Sequence, residues 1–258
     1  MTADLANGVE STVDSGIAVL VIGSGRRRNA LPGRGWTAIE DAVTALGADP
    51  DTRVIVVRGR GGTFCSGSDL TEWAGATAEF VEDSFARMES AFQAVERCPV
   101  PVVAAITGAA AGAGCQLALA CDLRLAADTA RIGMPIARHG ILASPAFAAR
   151  LSTLAGPGLA RELLYTGRLL DGRAAAAAGL VNRSCPDTSL DAEVDRLASA
   201  IAGQPRPAVL AAKRAVSATL APVRAATGHS PGPAVSMPEF HAAMAAFGAG
   251  DRPDERFR

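Results

Sequence analysis

Residues Thr107-Gly108-Ala109-Ala110-Ala111-Gly112-Ala113-Gly114-Cys115 carry almost no side chain, and an apolar helical segment follows them through Gln116-Leu117-Ala118-Leu119-Ala120. Backbone made of such residues can lie directly against a ligand, because nothing stands in the way. The unsatisfied N–H groups that open the following helix point at whatever binds there, and the helix dipole favours negative charge at that end. This is an arrangement that stabilises an oxyanion. A second loop lies upstream. Val54-Ile55-Val56-Val57-Arg58-Gly59 reads as a buried strand and runs into Gly61-Gly62-Thr63-Phe64-Cys65-Ser66-Gly67-Ser68-Asp69-Leu70.

The elements that must position these loops alternate along the chain. Ile17 to Ile22 is a β-branched run ending at Gly23, a strand. Trp36, Ile39, Val43 and Leu46 have helical spacing, and Asp49-Pro50-Asp51 ends that helix. The strand at Val54, a helical region from Thr77 to Val95, a strand at Leu123 to Ala126 and another near Arg131-Ile132 follow. Such alternation implies βαβ units with right-handed crossovers. After Pro186 the pattern is helical: Leu190 to Ala202, Pro207 to Leu220, and about Pro238 to Phe247, with a Gly- and Pro-rich loop at 227–233 and a polar tail.

Taken together, the two loops in this order resemble those of the crotonase (enoyl-CoA hydratase/isomerase) superfamily. Arg28-Asn29-Ala30-Leu31, Pro99-Val100-Pro101-Val102-Val103-Ala104-Ala105-Ile106, Leu163-Leu164-Tyr165-Thr166-Gly167-Arg168 and Ala177-Ala178-Gly179-Leu180-Val181-Asn182 are similar to further family motifs, so the resemblance spans nearly the whole chain. It implies an α/β fold: a crotonase-type spiral of ββα units over residues 1–188, and a helical C-terminal oligomerisation region over 189–258. It also implies an acyl-CoA thioester as substrate, with the carbonyl held between the backbone N–H groups of Ser68 and Ala113. By the same resemblance, CoA lies along Arg28, Ala30, Ser66, Ser68, Asp69 and Leu70. The assembly expected is a homotrimer or a hexamer built as a dimer of trimers. No metal and no redox cofactor is implied.

The two glutamates by which hydratases of the family exchange protons are replaced. Gln116 stands three residues after the second donor, and Ile136 follows Gly133-Met134-Pro135. Adding water across a double bond needs one group to take a proton and one to give it. An amide orients water but has no useful pKa, and Ile136 does neither, so efficient hydration is not expected. The alternatives are an isomerase, hydrolase or decarboxylase with a different base, or a catalytically silent acyl-CoA-binding protein.

Other positions carry two readings. His139 is a natural replacement base, while the plainer assignment is packing or a subunit contact. Arg138 is an anion contact or a surface cation. Ser144 lacks an activating partner and reads as structural. Pro145 and Phe147 are bulkier than the residues the family prefers there and should reshape the acyl pocket. Asp69 reads as a residue that holds its loop. Glu239 and His241 reach a neighbouring site or lie on a solvated helix face. The run Arg26-Arg27-Arg28 contacts phosphate or lies in a solvated loop.

The bulk properties agree with a globular enzyme. The 258 residues are 49% hydrophobic, enough for one large core. A formal net charge of -1 gives no sign of nucleic acid or an anionic membrane as partner. The five cysteines form no CxxC pair and read as reduced thiols, and the first residues carry no basic and apolar leader pattern. A cytoplasmic location is the expectation. Aromatic residues are scarce, at 4%.

Overall fold

The computed structural model describes residues 8–227 and 233–248. Most of the 227–233 loop and the tail beyond 248, both read from sequence, lie outside the described residues.

The chain opens with a hairpin. Strands β1 (Val9–Asp14) and β2 (Ile17–Ile22) pair antiparallel from Val9 opposite Ile22 to Asp14 opposite Ile17. The link is two residues, Ser15 and Gly16, both at positive φ, the geometry whose twist matches a hairpin. β1 is absent from the sequence reading, because Val9-Glu10-Ser11-Thr12-Val13-Asp14 is an edge strand with only one end buried and no apolar run.

From β2 onward the large sheet is parallel, with order β1-β2-β3-β4-β6-β9. Its further members are β3 (Val54–Gly59), β4 (Val102–Ile106), β6 (Leu123–Ala127) and β9 (Arg183–Cys185). All of Val54 to Val57 and Val102 to Ile106 is buried, the near-continuous apolar signature of strands covered on both faces. A small sheet of β5 (Ala109–Ala111), β7 (Arg131–Gly133) and β8 (Leu169–Asp171) stands beside it. The turns that start at β4 and β6 each add a strand to the large sheet and then a short strand, β5 or β7, to the small one before the next helix. The expected α/β spiral is what the chain forms.

Helices α1 (Gly33–Ala48) and α2 (Ala78–Arg97) pack on each other, with Trp36 edge-on to Phe92 at 5.5 Å. The short α3 (Ala113–Ala120) is buried from Gly114 onward. The largest departure from expectation is α4 (Pro145–Thr166), a long helix that begins inside the segment read as a pocket loop. Gly156 (φ 77°, ψ 159°) and Pro157 break its regular geometry midway, which hid the helical periodicity. α5 (Gly172–Ala177), α6 (Leu190–Ala202), α7 (Arg206–Thr227) and α8 (Met237–Gly248) are the remaining helices among the described residues. α6 falls where its spacing predicts. Leu190, Val194 and Ala198 bury it against β2, β3, β4 and β6, so the segment after residue 188 supplies part of the main core.

One buried charge fixes α3. The Arg124 guanidinium, on β6, donates to the carbonyls of Ala118 and Cys121 at the C-terminal end of α3 and to Leu180 O (3.0 Å). A cation there complements the helix dipole, and burial holds the Arg124 pKa below its ordinary value. Replacing Arg124 with Met leaves those carbonyls without donors. We expect Arg124→Met to lose about 3 kcal/mol of stability, read as a lower urea midpoint at unchanged slope.

Candidate active site

The two glycine-bearing loops meet backbone to backbone. Phe64 N–H donates to Thr107 O (2.7 Å), Cys65 N–H to Ala109 O (2.8 Å), and Ala111 N–H to Cys65 O (3.0 Å). A short parallel bridge between Cys65 and Ala110 thus extends the small sheet. The approach leaves no room for side chains. A Cβ on Gly114 would lie 2.0 Å from Cys65 O, and one on Gly67 (φ +108°) would lie 3.0 Å from Ala111 O and 3.3 Å from Ala113 N. The contact itself requires glycine at Gly114, and at Gly67 the positive φ adds to a tight approach.

Ser68 is presented by a clamp. Leu31 N–H donates to Gly67 O and Asp69 N–H to Leu31 O, both at 2.9 Å, so Leu31 occupies the partners on either side of Ser68. In a parallel bridge of this kind the N–H of the residue between faces the other way. On the opposite loop, Ala113 is the first residue of α3, whose first internal bond runs from Gln116 N–H to Gly112 O (3.1 Å). Among the described residues, neither Ser68 N–H nor Ala113 N–H has an acceptor in the chain. Two uncommitted amides therefore stand on loops that are sewn together, one at a positive helix end.

Gln116 is fully buried in a polar network. Its Nε2 donates to Phe147 O (3.4 Å) and lies 3.5 Å from Met134 Sδ, while its Oε1 accepts from Arg150 Nη1 (3.3 Å). Arg150, itself 9% exposed, holds Glu89 through both terminal nitrogens and Glu96 through Nε and Nη2, over the face of Phe92. Arg150, Glu89 and Glu96 escape a sequence reading. They lie on α2 and α4 at spacings that look like solvated helix faces, and no local pattern marks their meeting.

Outside the two loops runs a groove of ≈ 660 Å³, lined by Ala30, Asp69 and four arginines: Arg26, Arg27, Arg34 and Arg60. Asp69 accepts from Arg27 Nη1 (2.9 Å) and from Thr71 N–H (3.1 Å), so it holds its loop as expected. Ser66 donates N–H to Arg28 O and its hydroxyl to Arg27 O. The Arg28 side chain is exposed but does not line the groove, whereas Arg26 and Arg27 do. Leu70 is half-buried at the start of a one-turn 3₁₀ segment.

The edge of this groove is strained. Arg27, Arg28 and Asn29 are consecutive non-glycine residues at φ 49°, 54° and 55°. Left-handed backbone costs such residues about 1–2 kcal/mol each. The buried Asn29 side chain offsets that cost: its Nδ2 donates to Arg60 O (2.8 Å) and Thr63 O (2.6 Å), and its Oδ1 accepts from Gly25 N–H (2.8 Å).

With that geometry in view, the family model described as Enoyl-CoA hydratase/isomerase matches residues 12–230. The chain belongs to the enoyl-CoA hydratase/isomerase family. A crotonyl-CoA hydratase of Syntrophomonas wolfei is 35% identical over 202 residues, 78% of each chain. A mitochondrial methylglutaconyl-CoA hydratase of Mus musculus is 38% identical over 168 residues, 65% of this chain; the alignment spans only 54% of that longer protein. A crystal structure of an enoyl-CoA hydratase/isomerase from Xanthobacter autotrophicus Py2 superposes with a TM-score of 0.80 at 27% identity, covering 94% of this chain and 88% of that one. The spiral of ββα units with C-terminal helices is thus the fold of the enoyl-CoA hydratase/isomerase family.

The remaining candidates lie on the segments that follow β7 and on α8. Ile136 is buried, and His139 ends the 3₁₀ turn Pro135–His139, which packs on α4 and α8. Among the described residues His139 makes no hydrogen bond to Ser68, Ala113 or Gln116. Burial, and then the Arg138 charge, hold its pKa below the ordinary imidazole value. Ser144 caps α4 by accepting from Phe147 N–H (3.2 Å), the structural role expected of it. Glu239 accepts from the Ser236 hydroxyl, and His241 Nε2 lies 3.3 Å from Ala76 O of the same chain. Cys65 and Cys115 flank the paired loops, but burial pushes both thiols up to about 12, so neither is a thiolate nucleophile at neutral pH. Among the described residues no group of three or more His, Cys, Asp or Glu can hold a metal ion, and no helix is long and apolar enough to cross a membrane.

Two outcomes follow for this enoyl-CoA hydratase/isomerase family member. Asn29→Ala removes the support of a strained turn, and we expect about 2–4 kcal/mol of lost stability, measured as a shift in thermal midpoint. His139 is held neutral in the folded chain, so its contribution is complete above the free imidazole pKa of about 6.5 and is lost as pH falls below it. The His139→Gln variant should therefore lose less stability than the parent between neutral pH and pH of about 5, in urea titrations at each pH.

Proposed function

We propose that this chain is an acyl-CoA-processing enzyme that holds its substrate's thioester carbonyl between the Ser68 and Ala113 N–H groups and stabilises the enolate derived from it. The observation that carries this reading is the pair of uncommitted amides on two loops fixed to each other by Cys65 and Ala110. Preorganised donors cost no rearrangement when charge develops on the oxygen. The arginine-lined groove beside them offers guanidinium groups to the phosphates of CoA; Ala30 and Asp69 line it, while Ser66 and Leu70 stand next to it in sequence without lining it. The matched relatives are themselves enoyl-, crotonyl- and methylglutaconyl-CoA enzymes.

Efficient hydration does not form part of it. Gln116 and Ile136 occupy the places where a proton would be taken and given, and neither exchanges protons. His139 is the remaining candidate base, kept neutral by burial. A second reading, a silent acyl-CoA binder, is favoured by one observation: every polar atom of the Gln116 amide is already engaged by Met134, Phe147 and Arg150.

The donor pair is testable without disturbing the helix. Proline is the favoured residue at the first helical position, where it removes an N–H that has no helical partner. We expect Ala113→Pro to bind free CoA like the parent but to bind acetyl-CoA about fivefold to tenfold more weakly, the value of one hydrogen bond. Equal loss for both ligands would remove the donor assignment. Incubation with enoyl-, β-keto- and malonyl-type thioesters, followed by mass spectrometry, separates the two readings. A new product supports the enzyme, a retained but unchanged thioester supports the binder, and rapid hydration of an enoyl-CoA contradicts the account of Gln116.

A further inference from the structure

We propose that the acyl site, on the thioester reading above, accepts only a short, uncharged acyl group such as acetyl or crotonyl, because a plug of aromatic rings and one methionine fills the space beyond Ser68. The chain is poor in aromatic residues, yet both tryptophans and four of its eight phenylalanines gather here. Trp73 stacks on Phe85 at 5.5 Å, and Phe85 meets Phe147 at 6.4 Å. Phe147 in turn meets Phe92 at 6.4 Å, and Phe240 of α8 closes on Trp73 at 5.6 Å. The rings thus form a continuous wall from the Ser68 loop to the residue that holds Gln116.

Beside Ser68 itself the wall is complete. Its hydroxyl donates to Met88 Sδ at 2.8 Å, and Met88 is 1% exposed. The gap among Leu31, Trp36, Ser68, Trp73 and Ser84 has no room for a water molecule. The groove outside, where the nucleotide end of CoA would lie, is roomy, and the gap inward of Ser68, where an acyl chain would extend, is closed. Met88 is unbranched and adapts to a small intruding group. Phe147 does not: Ser144 caps its N–H and Gln116 donates to its carbonyl, so its backbone is pinned at the first turn of α4. An acyl carboxylate finds no counter-charge in Arg150, whose Nε, Nη1 and Nη2 are all committed to Glu89, Glu96 and Gln116.

The test is calorimetric binding of CoA, acetyl-, crotonyl-, octanoyl- and glutaryl-CoA to the full chain. We expect acetyl- and crotonyl-CoA to bind at least as tightly as CoA. Octanoyl- and glutaryl-CoA should bind at least about tenfold more weakly than crotonyl-CoA, the size of effect that a filled pocket imposes. Phe147→Ala should bring octanoyl-CoA to within about threefold of crotonyl-CoA. Phe85→Ala, which removes the adjoining ring, reads the same opening if the first variant does not fold. Octanoyl- or glutaryl-CoA binding as tightly as crotonyl-CoA to the parent overturns the proposal and leaves the thioester reading standing, as does unchanged discrimination in the folded variants. Failure of CoA and acetyl-CoA alike to bind instead removes the thioester reading itself.

Discussion

The contact between the 63–69 loop and the 107–116 segment is held by backbone-to-backbone hydrogen bonds, and the remainder of the site depends on it. Cys65 exchanges hydrogen bonds with Ala109 and Ala111, and Gly114 lies so close to the Cys65 carbonyl that any side chain would collide. Two loops held this way cannot drift relative to each other without breaking buried hydrogen bonds, each of which is costly to leave unmade. That rigidity gives the Ser68 and Ala113 amides a fixed separation. Neighbouring features reinforce it: Leu31 clamps both sides of Ser68, Arg124 anchors the far end of α3, and Asn29 supports the left-handed turn from which Leu31 emerges.

Within that frame the interior is committed to packing and to paired charges. In a proton-transferring site, a titratable group is expected to face the ligand with room to act. Here the position three residues into α3 carries an amide tied to Arg150, and the carboxylates nearest to it serve that guanidinium. Buried ion pairs of this kind resist disturbance, because removing one partner strands the other in a low dielectric. The chain therefore presents two uncommitted backbone amides while its side chains favour a closed, well-packed interior. Fold-level kinship fixes the scaffold and leaves the reaction to those side chains.

Much of this was legible in the sequence, for identifiable reasons. The strands from Ile17 and Val54 and the helix at 190–202 have long apolar runs or clear spacing, and they fall where expected. The small-residue loop at 107–115 announces a close backbone approach, which the structure realises against Cys65. What remained hidden depends on contacts distant in sequence. The edge strand at 9–14 is too polar to declare itself, and Gly156-Pro157 masks the long helix at 145–166. The left-handed turn at 27–29 carries no glycine, so only the buried Asn29 amide reveals why it is tolerated. Glu89, Glu96 and Arg150 converge from two helices, and Trp73, Phe85 and Phe147 from three separate segments; neither grouping leaves a local pattern.

The central claim is that the two amides polarise a thioester carbonyl. Difference infrared spectroscopy on the full chain with acetyl-CoA labelled with carbon-13 at the carbonyl reads that bond directly. Two hydrogen bonds from fixed donors draw electron density onto the oxygen and weaken the carbon–oxygen bond. The account predicts a carbonyl band at lower frequency than for the same thioester free in water, returning partway in Ala113→Pro. A bound thioester whose carbonyl band is unshifted from water would contradict it.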